Sequence, residues 1–326
     1  MSRSGFVSLL GRPNAGKSTL LNKLVGAKLA IVSDKPQTTR TRILGVKHVE
    51  QEGETAGQIV FVDTPGVHRP LHRMNVRMVD AAVQAAREVD VVCLVADASE
   101  RTGAGTKYLL DLLDQTNKPV VLVLNKIDLV AKNKLLPIID WFRQQREFAE
   151  IVPVSALTGD GLDRLEQLLL ARLPESDPLF PDDYLTDQPE RTLAAEMVRE
   201  QVLAHTRDEL PFSTAVVVDQ FEEPEANGGL LRLYCTILVE SDSQKPIVIG
   251  RAGDMIKRIG TAARLELERF FETKVYLDLH VKVKPGWRED ERMLDTLGLD
   301  KGKPRKGQSG KAQSRKAQSR KGQGGR

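Results

Sequence analysis

The sequence predicts an α/β domain with a mainly parallel sheet, then a smaller α+β domain and a disordered basic tail. Three observations carry this. From Gly5 to about Leu173, apolar strand-like runs alternate with helix-like stretches. A segment with four prolines and several acids, PESDPLFPDDYLTDQPER, interrupts the pattern at Pro174–Arg191 and reads as a linker. The last 26 residues, from Lys301, hold ten Lys or Arg and no acid. The expected boundaries are 1–173, 174–190, 191–300 and 301–326.

In the first domain the strand-like runs are Phe6–Leu10, Ile59–Val62, Val91–Ala96, Val120–Leu124 and Ile151–Val154. Amphipathic stretches at Asn75–Arg87, Thr106–Gln115 and Leu162–Arg172 supply helices between them. In the second, a charged helix over Thr192–Thr206 precedes strands at Thr214–Phe221 and Leu231–Glu240. A glycine-punctuated helical region and a last strand, Lys274–Val283, complete it. The tail contains KAQSR twice in succession and has the composition of a chain without a core.

Of the 326 residues, 40% are hydrophobic and 29% charged, ordinary for a globular protein. No apolar run approaches the roughly 20 residues of a membrane helix, and the N-terminus has no signal-peptide shape. Cys93 and Cys235 each sit in an apolar run, as core residues of a reduced, cytoplasmic protein would. The net charge of +3 conceals an asymmetry. Without the tail, 38 basic side chains face 45 acidic ones.

After the first strand comes GRPNAGKST, residues 11–19, with the spacing of a phosphate-binding P-loop. Gly11 and Gly16 let the backbone of Arg12, Pro13, Asn14 and Ala15 curl around an anion, with N–H groups turned inward. Lys17 can reach the terminal phosphates, Ser18 can ligate Mg²⁺, and Thr19 continues into a helix. A plain glycine turn ahead of a helix is the bland alternative.

The base is guanine if NKID, residues 125–128, does what its position after a strand suggests. The Asp128 carboxylate can accept from guanine N1–H and the 2-amino group, donors that adenine lacks. Asn125 would brace the base, the Lys126 stem would pack on the ring, and Ile127 lies between. A backbone N–H of Ser155 or Ala156, in VPVSAL, can meet guanine O6. DTPGV supplies Asp63 for the Mg²⁺ shell through water, with Thr64 and Pro65 leading to the Gly66 N–H, a γ-phosphate sensor. PQTTRTR supplies a threonine to close over metal and phosphate: Thr39, with Thr38 the alternative. Val67 stands where Ras-type proteins carry a water-orienting glutamine, so unaided turnover should be slow. Asn14 is a candidate K⁺ ligand that would bring positive charge to the transferring phosphate. His68 and His72, separated by Pro70, read as switch-loop surface and not as a metal pair.

In the second domain PIVIGRAGDMIKRIG contains Gly250-Arg251-Ala252-Gly253 ahead of a helix with Ile256 and Ile259 inward. In a type II KH domain such a G-x-x-G loop clamps four nucleotides of single-stranded RNA. Lys257, Arg258 and Arg264 add charge beside it.

Joined in this order, GRPNAGKSTLLNKL, PQTTRTRI, DTPGVH, NKID, VSAL, IVIGRAGDMIKRIGTAAR and VKVKPGWREDERMLDTLG resemble the Era (Era/TrmE-like) family of bacterial P-loop GTPases, from Gly5 to about Leu299. The resemblance implies a Ras-like G domain, a C-terminal KH domain, GTP as substrate, and binding near the 3′ end of 16S rRNA in maturation of the 30S subunit. The basic tail lies outside the usual pattern, and Ala252 stands where such clamps often have lysine. Other readings stay open: a constitutive RNA-binding module with structural nucleotide, a cell-cycle GTPase with peripheral inner-membrane contact, and a P-loop metabolic kinase. A monomer is the default.

Overall fold

The structure, a computed structural model, describes residues 2–33, 35, 38–51, 54–67, 73–114, 116–206, 210–224 and 229–299. The histidines 68 and 72 and the basic tail lie outside the described residues.

Strand β1 (Arg3–Gly11) runs through the P-loop into helix α1 (Lys17–Val25). Then come β2 (Ile43–Gln51), β3 (Glu54–Asp63), α2 (Arg73–Glu88), β4 (Val91–Asp97) and α3 (Ala104–Leu113). The domain closes with β5 (Val120–Asn125), α4 (Lys132–Gln145), β6 (Glu150–Pro153) and α5 (Leu162–Leu170). The six strands form one sheet in the order β2-β3-β1-β4-β5-β6, parallel except for the antiparallel β2–β3 pair. Residues such as Leu9, Phe61, Cys93 and Val123 face one apolar layer with α1 and α5, while Val62, Leu94 and Leu122 face another with α2 and α3. A parallel sheet covered on both faces explains why its central strands read as continuous apolar runs.

The alternation in the sequence marks the parallel strands but not β2. That strand reads ILGVKHVEQ, an edge whose apolar residues are broken up by Gly45, Lys47, His48 and Glu50, and α4 carries Pro137 inside it. Both elements lie where no strand or helix is expected from the sequence.

The second unit is built from α6 (Glu190–His205), α7 (Leu210–Ser213), β7 (Ala215–Glu222), β8 (Leu230–Val239), α8 (Lys245–Ile249), α9 (Asp254–Phe271), β9 (Lys274–Val283) and α10 (Glu291–Thr296). Its sheet has the order β7-β8-β9, with β7–β8 antiparallel and β8–β9 parallel. Helices α6 and α9 pack on one face around Val198, Val202, Ile259, Ala263 and Leu267. The other face meets the first domain. There Ala215 and Leu238 pack with Met74 and Met78 of α2 and with Trp287, Leu294 and Leu299. Among the described residues, no helix is long and apolar enough to cross a membrane.

The proline-rich segment is not a free spacer. It lies along the β2–β3 edge, where Val46 N donates to Leu185 O at 2.9 Å and Leu44 N to Asp187 Oδ1 at 3.3 Å. Gln58, fully buried, accepts from Leu179 N (2.8 Å) and Phe180 N (3.0 Å) and donates to Phe180 O (2.9 Å). Phe180 and Tyr184 stack at 4.7 Å over Leu44, Val46 and Val60. The exposed sheet edge is thereby capped.

Substituting Gln58→Ala removes the acceptor of two part-buried backbone donors, Leu179 N and Phe180 N, and should cost about 1–3 kcal/mol in urea unfolding. It should also speed proteolysis within Leu179–Tyr184. Unchanged stability and cleavage would show that the segment is not docked.

Candidate functional site

The loop between β1 and α1 is shaped by two left-handed residues, Asn14 (φ 63°) and Gly16 (φ 89°). A side chain at Gly16 is barred twice over, since its Cβ would lie 2.3 Å from Asn125 Nδ2. The packing of P-loop on base loop is that close. Gly66 is pressed on the other side of the loop, where its Cβ would fall 2.7 Å from Pro13 Cα. Arg12 turns outward to an ion pair with Glu100 at 2.8 Å, and Ala15 is buried.

Lys17 is 5% exposed, and its Nζ donates to Gly11 O and Arg12 O at 3.3 and 3.1 Å. Burial pulls its pKa down to about 8, against the opposing attraction of Asp63. The protein thus holds a cation poorly solvated beside a concave loop, a setting that an oxyanion relieves. A cavity of about 390 Å³ opens there, lined by residues including Asn14, Lys17, Ser18, Thr19, Thr39, Gly66 and Lys126.

Ser18 Oγ lies 2.7 Å from Thr39 Oγ1 and 3.0 Å from Asp63 Oδ2, and Thr39 donates to the same oxygen at 3.3 Å. Thr38 instead donates its hydroxyl to Lys35 O, 2.6 Å away, so Thr39 is the threonine at the cluster. Asp63 is wholly buried, and its Oδ1 has no hydrogen-bond partner. Burial raises its pKa to about 6, with Lys17 and the two hydroxyls opposing. Two hydroxyls and a carboxylate with an uncommitted oxygen fit Mg²⁺, a hard cation that takes oxygen ligands and keeps several waters. Among the described residues, no group of three or more His, Cys, Asp or Glu is placed to hold a metal.

The base loop is organised by Asn125, 1% exposed. Its Nδ2 donates to Ala15 O and its Oδ1 accepts from Ala156 N, both at 2.9 Å. One side chain therefore ties the ends of β5 and β6 to the P-loop. Lys126 adopts φ 63° and pairs with Asp97 Oδ2 at 2.6 Å, a partner the sequence did not advertise. Ile127 and Asp128 form a short helical turn, and Ser155 Oγ donates to Asp128 Oδ1 at 2.5 Å. Ser155 N and Ala156 N already donate to Asp160 O and Asn125 Oδ1. The guanine O6 contact expected of them requires one of these bonds to be exchanged. Thr64 is buried on Leu9 O, Pro65 follows it, and Val67 is 1% exposed with its N–H on Gly11 O at 3.0 Å. The Val67 side chain belongs to the core and has no access to a water.

In the second unit, Gly250 (φ 75°), Ala252 (φ 52°) and Gly253 (φ 81°) make the turn between α8 and α9. A Cβ at Gly250 would strike Met255 at 2.5 Å, whereas nothing lies within 4 Å of one at Gly253. The clamp is closed behind and open in front. Arg251, Ala252, Lys257 and Arg258 are exposed, while Arg264 is paired with Glu268 at 2.8 Å. Ile259 is buried as expected and Ile256 half-buried. Ile247 and Leu265, 50% and 44% exposed, add apolar surface on the two flanking helices. Basic and apolar groups beside an open backbone turn suit unstacked bases.

A P-loop, a hydroxyl–carboxylate cluster suited to Mg²⁺ and a base loop on a Ras-like sheet, joined to a KH unit, define a KH-containing P-loop GTPase. Residues 6–126 match the family model described as 50S ribosome-binding GTPase, and residues 209–288 match the KH domain. The GTPase Era of Geobacter metallireducens is 51% identical over 91% of this chain and 97% of its own length. That of Syntrophus aciditrophicus is 46% identical over 92% and 96%. Among solved structures, a point variant of Aquifex aeolicus Era bound to GDP·AlF₄⁻ is 42% identical, with a TM-score of 0.86 over 91% of this chain and 99% of that one. Era in complex with MgGDPNP and nucleotides 1506–1542 of 16S ribosomal RNA has 42% identity and a TM-score of 0.87 over 92% and 99%. The chain belongs to the GTPase Era family.

If Asp128 accepts from guanine N1–H and the 2-amino group, as its place after β5 suggests, Asp128→Asn sets a donor against those donors. GDP affinity should fall by about 10²-fold or more, and xanthosine diphosphate, with a carbonyl at C2, should gain. Competition against a fluorescent nucleotide checks this. Equal loss for both bases would remove Asp128 from base recognition.

Proposed function

We propose that this GTPase binds GTP with Mg²⁺ at Gly11–Thr19, Asp63–Val67, Asn125–Asp128 and Ser155–Ala156, and binds the 3′ region of 16S rRNA through Gly250–Gly253, Lys257, Arg258 and Arg264. It would thereby act as a nucleotide-operated switch in 30S subunit maturation. Ser18, Thr39 and Asp63 are the residues suited to the metal, which when bound neutralises charge on the β- and γ-phosphates.

The observation that carries the switch is where the segment around Thr39 ends up. Thr39 touches the metal cluster, and the next residue, Arg40, reaches the KH unit. Arg40 Nη1 donates to Thr214 O at 2.8 Å, and its guanidinium lies 5.4 Å over the Trp287 ring. Arg199 of α6 donates to Thr38 O from the other side. Val32 N donates to Glu200 Oε1 at 2.8 Å, and Lys28 pairs with Glu200 and with Glu266 of α9, the helix that begins at the clamp. The helix after the Gly66 segment, α2, packs Met74 and Met78 on Trp287 and Leu294. A shift of either nucleotide-facing segment must therefore break or remake contacts with the RNA-binding unit, the physical requirement for coupling.

RNA matching the small-subunit 3′ end should bind about tenfold or more tightly with a nonhydrolysable GTP analogue than with GDP, at fixed salt. By reciprocity, the RNA should raise analogue affinity by the same factor. Identical RNA affinities and hydrolysis rates unmoved by RNA would leave a constitutive RNA-binding module.

Ala252→Lys should strengthen RNA binding and steepen its salt dependence by about 0.7 in log–log slope, the value for one added contact to a single strand. An unchanged slope would separate Ala252 from the RNA path. Hydrolysis without a water-orienting side chain at Val67 should be slow, and faster in K⁺ than in Na⁺ if Asn14 helps hold the ion. Equal rates would dismiss K⁺.

A further inference from the structure

The end of β4 and the turn after it, residues 97–103, carry no nucleotide-binding motif, yet they touch both loops of the nucleotide site. Asp97 ends β4 beside Asn125 in the parallel register, and Ala98 N donates to Asn125 O at 2.9 Å. The Asp97 side chain is 5% exposed, and both of its oxygens are engaged. Oδ1 accepts from Ser99 N at 2.8 Å and from Ser99 Oγ at 2.6 Å, while Oδ2 takes the Lys126 ammonium at 2.6 Å. Burial opposes charge there, but the hydrogen bonds from Lys126 and Ser99 outweigh it and hold the carboxyl below its ordinary pKa. Three residues further on, Glu100 pairs with Arg12 of the phosphate loop at 2.8 Å.

We propose that Asp97 is a positioning residue of the nucleotide site: by holding the Lys126 ammonium, it presets the lysine stem as the wall on which the guanine ring packs. The proposal rests on the reading of Lys126 as that wall. The stem crosses from the base loop towards the phosphate loop, where its Cε lies 3.9 Å from the place of a Cβ at Gly16. Lys126 lines the nucleotide cavity together with Gly16 and Lys17, and Asp97 does not, so the effect of Asp97 must pass through the lysine. A free lysine side chain carries about 2 kcal/mol of rotamer freedom, which a ligand must remove to pack on its stem. Here the backbone end is set at φ 63° and the ammonium end by Asp97, so that cost is met before the nucleotide arrives.

The test is a double-mutant cycle on the full chain, reading GDP affinity and release by competition with a fluorescent nucleotide. Asp97→Asn keeps the side chain's shape and an acceptor for Ser99, but sets an amide against the ammonium. Alone it should weaken GDP about tenfold, mainly through faster release. Lys126→Ala removes the stem and should weaken GDP by about tenfold or more. In that background Asp97→Asn should change affinity less than about twofold, because nothing remains for the carboxylate to hold. Inosine diphosphate, which lacks the 2-amino group, should lose the same factor as GDP in Asp97→Asn, since the ring face and not its edge is disturbed. If Asp97→Asn does not fold, Ser99→Ala frees one Asp97 oxygen more gently. It should cost about two- to threefold in the parent and nothing beside Lys126→Ala. Losses that add across the cycle, a changed ratio of guanosine to inosine affinity, or parental GDP binding by Asp97→Asn overturns the proposal. Parental binding by Lys126→Ala instead defeats the reading of Lys126 as the wall, and the proposal falls with it.

Discussion

The cluster of Ser18, Thr39 and Asp63 is the constraint on which the rest of the structure turns. Three segments far apart in the chain converge on one wholly buried carboxylate: the start of α1, the loop before β2, and the end of β3. The protein alone does not complete the arrangement, because Asp63 Oδ1 has no hydrogen-bond partner and the carboxyl is held less acidic than usual by burial. A divalent cation with its water shell would supply what is missing. Since Thr39 belongs to the cluster and Arg40 to the seam, one peptide bond joins that small site to the contacts with the second unit.

The seam divides its work between two kinds of contact. Met74, Met78, Ala215, Leu238, Trp287, Leu294 and Leu299 form a buried apolar patch that supplies adhesion, where truncating one large side chain typically costs about 2–5 kcal/mol. The ion pairs around it are partly exposed: Lys28 is 34% exposed, and Arg73 63%. Such pairs contribute about 0–1 kcal/mol each. Their value lies in register, for they fix which turn of α6 and α9 faces which residue of the loop. An interface held by apolar contact and indexed by polar contact can slide or detach without unfolding either unit.

How much of this was legible in the sequence depended on how local the chemistry is. The phosphate and base loops were readable because a backbone turn, a lysine and a carboxylate must fall within a few residues, each loop after an apolar strand. The G-x-x-G clamp was readable only through its neighbours. Arg40, Arg199 and Trp287 were not, since they lie more than 80 residues apart in each case and their meeting depends on how two units pack. Arg40 sat inside PQTTRTR, but nothing in that string distinguishes a guanidinium in solvent from one buried on an indole. The proline-rich strap was hidden differently. Its composition signals a spacer, whereas its backbone groups and Phe180 complete an edge that the sequence pattern of β2 never revealed. Val67 could be read as a missing glutamine, but only packing shows that its side chain is committed to the core.

Backbone strain draws the same functional map independently of any motif. Four described residues other than glycine have positive φ: Asn14, Lys126, Ala252 and Glu272. Glu272 ends α9, a place where left-handed residues commonly close helices. The other three lie one in the phosphate loop, one in the base loop and one in the clamp. Asparagine tolerates this region through its short polar side chain, but lysine and alanine do so at about 1–2 kcal/mol each. Conformations of that cost persist where the surroundings enforce them, and here the enforcing contacts are specific: the Lys126–Asp97 ion pair on one side, and Gly250 packed against Met255 on the other. In both loops the strained residue turns the chain sharply beside a concave surface. The fold gives up stability at the three turns proposed to receive ligands, and keeps its regular geometry in the sheets that hold those turns in place.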